Sequence, residues 1–464
     1  MYCLRLQRKT THYYTLKKKQ FITTMFVNIQ LKGLVGFIAL LTIFSSCKSP
    51  EDHTMDEREI VHRLQDELTQ VIIYDVFTPP VAGRIYAYTS LAGYEAIRWK
   101  DSTSFSLAAR MNGFAKMPEP QPGKACNFTL AYVKAFSDMA MKVIFSKDSL
   151  NRYVNEVLEN YKQKLPKEEY ENSIAFGSAV ADSVGKRAKD DHYLISRSKP
   201  KYLGSEEPGK WRPTAPDYLD GVEFCWNEIH PFILDSAGQF LPPPPPVYSM
   251  DSNSTFYNMA REVLDVQKNL TQEQKDIAKF WDDNPFVIEH AGHLMFGTKK
   301  ITPGGHWMGI AAIAARQSNA GDVKTALTYS LTATALFDAF ISCWDAKYKW
   351  SYVRPITVIH QYWDKGWQPI LQTPPFPEYT SGHSTITASA ATVLTKLYGD
   401  NFAFNDTSDL RYIGMQRKFQ SFNQAAEECS VSRLYGGIHY RLSVDEGAAA
   451  GKKVGNLVLQ KTGL

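Results

Sequence analysis

Three short stretches near the C-terminus contain the residue types that bind and process an oxyanion. In the first, Lys347 and Arg354 lie seven residues apart, and Pro355 follows the arginine directly. Seven residues span two helical turns, so both cations are predicted to project from one face of a helix. Because proline disfavours helical conformation at the residue before it, Arg354 is predicted to lie in the last turn of that helix, beside a loop.

The second stretch is predicted to form an anion-binding helix N-terminus. It reads Thr380-Ser381-Gly382-His383 and precedes an alanine-rich run, residues 385–398, that is typical of a helix. Gly382 lets backbone N–H groups approach a ligand closely. Free N–H groups and the helix dipole at this end favour a bound anion.

The third stretch adds a second guanidinium and a second imidazole. Ser432 and Arg433 are followed by a Gly-Gly turn and then by His439, six residues after the arginine. Together the three stretches are predicted to place three cations, one helix N-terminus and two histidines around a tetrahedral anion. A solvated surface position would explain each of them alone, but it does not predict their joint order and spacing.

The joint pattern resembles the signature shared by type 2 phosphatidic-acid phosphatases and vanadium-dependent haloperoxidases. That signature is Lys, six residues, Arg-Pro; then Pro-Ser-Gly-His; then Ser-Arg, five residues, His, three residues and Asp. The first part is matched fully, whereas Thr380 replaces the proline and Ser443 replaces the final aspartate, with Asp445 two residues later. A carboxylate at position 443 would hold the imidazole of His439, so this departure leaves the orientation of that ring open.

A proline-rich segment extends the resemblance toward bacterial haloperoxidase-like proteins. Residues 211–214 (Trp-Arg-Pro-Thr), 231–232 (Pro-Phe) and 239–246 (Gln-Phe-Leu and five prolines) resemble the corresponding region of those proteins, not of small acid phosphatases. The similarity runs from about residue 60 to the C-terminus. The segment therefore favours the haloperoxidase interpretation.

The resemblance implies a role for each candidate residue around a five-coordinate oxyanion. His439 would be the axial ligand, bonded to vanadium in a haloperoxidase or acting as the nucleophile that forms phosphohistidine in a phosphatase. His383 would be the acid–base group on the opposite axial side. Five residues would donate to the equatorial oxygens: Lys347, Arg354, Ser381, Gly382 and Arg433.

Two adjacent carboxylates, Asp282 and Asp283, are candidates for a supporting role. Carboxylates cannot bind the anion themselves, but one of them could pair with Arg433 and orient it. The alternative is a solvated pair at the C-terminal end of a helix.

Three functions stay open at this point. The first is a vanadate-dependent haloperoxidase, in which vanadate acts as a Lewis acid while hydrogen peroxide oxidises a halide. The second is an acid phosphatase or phosphatidic-acid-phosphatase-type hydrolase of phosphate esters, which needs no vanadate. The third is a non-catalytic oxyanion-binding lipoprotein. Chain length and the proline-rich segment favour the first, and the retained cations and histidines argue against the third.

The elements that must position these residues are helices, and we predict an all-α fold of two packed helical bundles. Residues 56–250 form an N-terminal helical half that includes a long irregular, proline-rich arm, residues 196–248. Residues 251–464 form the C-terminal half, which contains the oxyanion site. The arm is either part of the wall of that site or a linker between the halves.

The N-terminal region is predicted to be a lipoprotein leader. An apolar run, residues 33–44, is too short to span a bilayer but suits a signal peptide. Ser-Ser then precedes Cys47, which resembles a bacterial lipoprotein cleavage box with Cys47 as the lipidated residue. Residues 1–47 would thus be an N-terminal extension and a lipoprotein-type signal peptide, and residues 48–55 a polar tether, while Met1 and Met25 both stay open as the start. A lipid anchor would then be the sole membrane contact, in the bacterial cell envelope on its periplasmic or surface side.

Charge and composition limit the partners. The net charge of +4 over 464 residues comes largely from the first 32 residues, so the body of the chain is near neutral. A nucleic-acid partner is therefore not predicted. The expected partners are small molecules, either hydrogen peroxide and a halide or phosphate esters.

Overall fold

Helices carry nearly all the regular structure in the described part of the chain, so the all-α prediction is confirmed. The computed structural model describes residues 56–285, 287–291, 294–297 and 299–464. The predicted leader, Cys47 and the tether lie outside these residues. Among them, only two short antiparallel strand pairs interrupt the helices: β1 Ile288–Ala291 with β2 Leu294–Gly297, and β3 Phe404–Asp406 with β4 Arg417–Phe419. Strands of three or four residues are too short to show an alternating pattern in the sequence.

Six helices precede the proline-rich arm in the described residues. Pro79 and Pro80 occupy the first turn of the second helix, where proline needs no N–H partner, and so separate the first two helices as predicted. In chain order the helices are α1 Glu57–Tyr74, α2 Pro79–Ile97, α3 Phe128–Val143, α4 Asp148–Lys164, α5 Lys167–Lys189 and α6 Tyr193–Arg197.

Nine helices follow the arm, again counting only what the structure describes. Ser254 caps the first of them, and Thr271 forms the predicted capping box with Gln274 at the start of the second. In chain order they are α7 Thr255–Lys268, α8 Gln272–Phe280, α9 Pro303–Gln317, α10 Asp322–Trp350, α11 Pro355–Tyr362, α12 Gly382–Tyr398, α13 Leu410–Ile413, α14 Phe422–Tyr435 and α15 Arg441–Thr462.

The long helix α10 joins the two groups of helices. It packs against α1 and α2 of the first group and against α9, α12 and α15 of the second. Its 29 residues are long and apolar enough to cross a membrane. However, 94% of its most apolar stretch is buried inside the fold, as in a core helix. Because α10 belongs to both groups, residues Glu57–Leu464 form one compact unit. The division into halves at residue 250 stays a prediction.

The irregular arm, residues 198–254, is anchored on the central helix. The backbone N–H groups of Phe232, Ile233 and Leu234 all donate to the carboxylate of Asp338 on α10, at 2.7–2.8 Å. Three such donors satisfy a carboxylate that would otherwise be costly to bury. The arm is therefore a packed part of the fold.

The arm also reaches the segments that carry the oxyanion motifs. The hydroxyl of Tyr352 donates to the carbonyl of Pro246 (2.6 Å), and that of Tyr379 donates to the carbonyl of Pro243 (2.8 Å). An extended proline run forms no internal hydrogen bonds, so its carbonyls can accept hydrogen bonds from these tyrosines. The proline run thus supports the motif loops, which agrees with the site-wall alternative and not with a linker.

Candidate active site

The second sequence stretch forms the N-terminus of a buried helix, as predicted. Helix α12 begins at Gly382, and Ser381 is its N-cap residue. The Ser381 hydroxyl oxygen accepts from the backbone N–H of Ser384 (3.3 Å) and from the Ser384 hydroxyl (2.8 Å). Since both contacts use this oxygen as an acceptor, the Ser381 hydroxyl proton stays available for an anion.

Arg354 is not on the same helix as Lys347, so that part of the prediction is wrong. Helix α10 ends at Trp350, and Ser351 then adopts a left-handed conformation with φ +44°. Arg354 is the N-cap residue of α11, which begins at Pro355. The physical reason is that proline fits the first turn of a new helix, where its missing N–H has no cost.

Lys347 is fully buried and holds the loop that leads into α12. Its ammonium group donates to the carbonyls of Pro377 (2.9 Å), Glu378 (3.1 Å) and Thr380 (2.5 Å). Burial lowers the pKa of Lys347 to about 7, and a bound anion would favour the charged form. Because these three contacts engage all three N–H donors, Lys347 shapes the loop and lends its charge, and its direct hydrogen bond to an anion stays a prediction.

The two guanidinium groups are equally buried, and each keeps an open donor. Arg354 donates to the carbonyls of Phe376 (2.9 Å) and Ile438 (2.7 Å), and Arg433 donates to the carbonyl of Trp281 (2.5 Å). Nη2 of Arg354 and Nε of Arg433 have no hydrogen-bond partner among the described residues. Burial lowers the pKa of Arg354 to about 10 and also lowers that of Arg433. Buried donors without an acceptor are costly, so an anion that accepts from both would be stabilising.

Glu378, which the sequence analysis missed, orients His439. Its Oε1 accepts from Nδ1 of His439 at 2.8 Å and from the backbone N–H of Tyr440 at 3.0 Å. Burial raises the pKa of Glu378 to about 7, while the charge of Arg354 opposes that rise. An isolated carboxylate three residues before Ser381 was the available sequence signal.

The position of Glu378 explains why Ser443 can stand where the family signature has aspartate. Ser443 is buried, its carbonyl accepts from the N–H of Ser381 (3.0 Å), and its hydroxyl donates to the carbonyl of Glu378 (3.4 Å). Position 443 therefore supports the loop, while the carboxylate comes from position 378. Asp445 is exposed and does not replace it.

Both predicted catalytic histidines favour the neutral form. Burial lowers the pKa of His439 and of His383 well below the ordinary value, and nearby cations lower both further. With Nδ1 of His439 donating to Glu378, its Nε2 carries the lone pair and accepts from Nη1 of Arg354 at 3.2 Å. Nε2 of His383 is buried without a partner in the part of the chain that is described. One imidazole thus offers a ligand nitrogen and the other an open proton acceptor.

The predicted ion pair of Arg433 with Asp282 or Asp283 is not formed in the described structure. Asp282 instead pairs with Lys300 at 2.5 Å, and both carboxylate oxygens of Asp283 lie 3.0 Å from Nδ1 of His306. Both aspartates are buried, so the solvated-pair alternative is wrong as well. The physical reason is that other basic groups lie closer to the two carboxylates, while the carbonyl of Trp281 accepts from one N–H of the guanidinium.

The second and third motifs line one cavity through Gly382, His383, Arg433 and His439, and Arg354 of the first motif contacts His439 in its wall. Its polar lining is His383, Arg433, His439, Asp283 and Asn284. Its other walls are apolar or backbone surfaces: Pro79, Pro285, Pro303, Phe340, Trp344, Pro374, Phe376 and Gly382. Apolar walls exclude water and strengthen the electrostatic interactions inside.

The donors around this cavity fit a tetrahedral oxyanion. Lys347, Arg354 and Arg433 are at most 1% exposed, and the carboxylate of Glu378 bonds His439 and not these cations. Two open N–H donors, a serine hydroxyl and the lone pair of His439 complete the set. An anion of several oxygens would offset the cost of burying so much positive charge.

Comparisons with known proteins agree with this chemistry. The family model for the second helical-bundle domain of VCPO matches residues 328–463, which include all three sequence stretches. The crystal structure of the first bacterial vanadium-dependent iodoperoxidase is 44% identical, with a TM-score of 0.83. Its alignment covers 87% of this chain and 96% of that chain. The chain belongs to the vanadium-dependent haloperoxidases.

This haloperoxidase is therefore an enzyme, a peroxidase-type oxidoreductase with a vanadate cofactor, as predicted. The holo and apo crystal structures of bacterial vanadium-dependent chloroperoxidase share its fold at 15% and 16% identity, each with a TM-score of 0.64. These alignments cover 90% and 83% of this chain and 94% of each chloroperoxidase chain. No curated protein sequence matches. The roles of individual residues stay predictions.

Proposed function

We propose that the haloperoxidase oxidises iodide with hydrogen peroxide at vanadate held in the cavity around His439. The observation that carries this proposal is a buried imidazole whose Nε2 faces the guanidinium of Arg354, with the buried charges of Lys347 and Arg433 close enough to lower its pKa further. Such a site stabilises a multiply charged anion and offers it a nitrogen ligand in the same place.

Each polar group has a distinct part in holding vanadate. Arg354 and Arg433 would donate through the N–H groups that have no partner in the described structure, and Ser381 through its hydroxyl proton. The N–H of Gly382 adds a backbone donor at the positive end of α12. His439 would bind vanadate through Nε2. Lys347 would supply positive charge while fixing the loop.

Bound vanadate would supply a Lewis acid that polarises hydrogen peroxide for attack by the halide. The protein's own part in the reaction is proton transfer, which we assign to His383. Its Nε2 has no hydrogen-bond partner among the described residues, so it can take a proton from incoming peroxide and return it to the departing oxygen. Overall, iodide loses two electrons, and hydrogen peroxide accepts them with one proton, which gives hypoiodous acid and water.

Two considerations favour iodide over the other halides. The relative that is 44% identical is an iodoperoxidase, and most of this chain aligns with it. Iodide also gives up electrons more readily than bromide or chloride, so it makes the smallest demand on the activating power of the site.

The test is an assay of the purified chain after removal of bound oxyanion and reconstitution with vanadate. We expect peroxide-dependent oxidation of iodide that requires vanadate, with slower or no oxidation of bromide and chloride. A parallel assay measures hydrolysis of a phosphate ester without vanadate. Efficient ester hydrolysis with no halide oxidation would overturn the proposal in favour of the phosphatase alternative, and bromide oxidised faster than iodide would overturn the iodide assignment alone.

We also propose that the enzyme is lipid-anchored in a bacterial cell envelope through Cys47. Cys47 lies outside the described residues, so the support comes from the sequence: the apolar run, residues 33–44, and the Ser-Ser-Cys that follows it. Replacing Cys47 with alanine is expected to move the protein from the membrane to the soluble fraction, because the acylated residue is lost. Cell fractionation after a high-salt wash measures this, and a variant that stays with the membrane would contradict the anchor.

A further inference from the structure

A second buried charged cluster adjoins the oxyanion cavity through Asp283 and is centred on His306 of α9. This histidine is completely buried. Its Nδ1 lies 3.0 Å from both carboxylate oxygens of Asp283, and its Nε2 lies 3.0 Å from Oδ2 of Asp406. Asp409 is further from Nδ1, at 3.7 Å. We call these four residues the His306 cluster.

The geometry favours the imidazolium form of His306. Both ring nitrogens face carboxylate oxygens at hydrogen-bond distance, and a ring that donates from both nitrogens carries a positive charge. Burial alone would lower the pKa of His306, but the charges of Asp283, Asp406 and Asp409 raise it well above the ordinary value. Burial also raises the pKa of Asp409 to about 8. The cluster therefore places one cation between two carboxylates.

The cluster touches the active site through residues 281–283. The carbonyl of Trp281 accepts from Arg433, and its indole stacks on the His306 ring with centroids 4.6 Å apart and planes 20° from parallel. The backbone of Asp282 hydrogen-bonds His383. Asp283 lines the oxyanion cavity. One short segment thus contacts the third cation, the proposed acid–base histidine and the cavity itself.

Within this segment, the charge of Asp283 is the feature that could interfere with a bound oxyanion. Its carboxylate belongs to a residue in the cavity wall, where a free negative charge would repel a bound oxyanion. The same carboxylate would also be a natural partner for the open N–H of Arg433. In the structure it does neither, because both of its oxygens face His306.

We propose that His306 is a positioning residue that neutralises Asp283 and holds it away from Arg433, which keeps the cavity free for vanadate. This inference rests on the proposed oxyanion site. It assigns His306 no contact with the anion or with the substrates. Its role is to prevent a carboxylate of the protein from competing with the cofactor.

A bound metal ion is the main competing explanation of the cluster. Atoms of Asp283, His306 and Asp409 that could be metal ligands lie within 4.8 Å of one another. However, both oxygens of Asp283 lie at hydrogen-bond distance from one ring nitrogen, which a shared proton explains. A metal ion would have to replace that proton, so elemental analysis of the purified protein separates the two explanations.

The test is a vanadate titration by calorimetry on His306→Gln, alone and combined with Asp283→Asn. Losing the imidazolium should weaken vanadate binding about tenfold, the lower range for a charged interaction. Removing the Asp283 charge as well should restore most of that loss, because no carboxylate then competes. His62→Gln is a matched control, since His62 is also a buried histidine with a hydroxyl partner (Tyr329, 2.6 Å) but lines a different cavity.

The outcomes distinguish a failure of the His306 proposal from a failure of the proposed oxyanion site. If wild-type protein does not bind vanadate, the oxyanion site itself is wrong. If wild type binds but His306→Gln binds equally well, or if Asp283→Asn fails to restore binding, the positioning role is wrong. One metal ion per chain that disappears in His306→Gln would also overturn it. Should His306→Gln fail to fold, Asp283→Asn alone decides: the proposal expects this variant to bind vanadate at least as tightly as the wild type, and weaker binding would contradict it.

Discussion

Replacing His439 with alanine is expected to abolish tight vanadate binding and halide oxidation together, whereas replacing His383 with alanine is expected to abolish turnover alone. Nε2 of His439 is the unprotonated nitrogen beside Arg354, so its loss removes the proposed ligand atom. Nε2 of His383 has no hydrogen-bond partner among the described residues. Its loss should therefore lower the rate by roughly 100- to 10,000-fold, the usual contribution of a positioned acid–base group.

Vanadate titrations and steady-state iodide oxidation on the two variants measure this difference. Each variant is its partner's control, because both remove a largely buried imidazole from the same cavity. The reverse pattern, in which His383→Ala loses binding and His439→Ala keeps both binding and activity, would show that the ligand and acid–base roles are exchanged.

The second large effect is expected from Glu378→Gln, which should lower vanadate affinity or activity about 10- to 100-fold, as for other groups that orient a metal-binding histidine. An amide can donate to Nδ1 of His439 where the carboxylate accepts. That change favours the tautomer with a proton on Nε2, the atom that must keep its lone pair. Calorimetry with vanadate and the iodide assay measure the loss.

Asp445→Asn is the matched control for this change. Asp445 is the acidic residue nearest in sequence to the position where the family signature has aspartate, but it is exposed. Its replacement should leave affinity and rate unaltered. If Asp445→Asn is as damaging as Glu378→Gln, or if Glu378→Gln has no effect, the orientation of His439 does not depend on Glu378.

The sequence predicts those features that depend on local spacing. The start of α12 at Gly382 follows from a serine cap before a helical run, and the Thr271 capping box follows from its three-residue spacing. Pro79 marks the start of α2 for a similar reason. These signals are local because each is a requirement of one helix end for hydrogen-bond partners.

Features that depend on tertiary contacts were missed or predicted wrongly. Glu378 lies 61 positions from His439 in the chain, and nothing local to either residue indicates that they meet. His306 and Asp406 are 100 positions apart. Arg354 was placed in the wrong helix because Pro355 is compatible with ending one helix or starting the next, and only the left-handed Ser351 decides between them.

Calorimetric titration of the wild-type enzyme with vanadate, repeated in the presence of phosphate, tests the central claim most directly. The buried cations, the open N–H donors and Nε2 of His439 are proposed to form one oxyanion site. The expected result is therefore one vanadate bound per chain and competitive weakening of that binding by phosphate. Absence of binding, or vanadate binding that phosphate does not affect, would contradict the claim that these groups share a single anion.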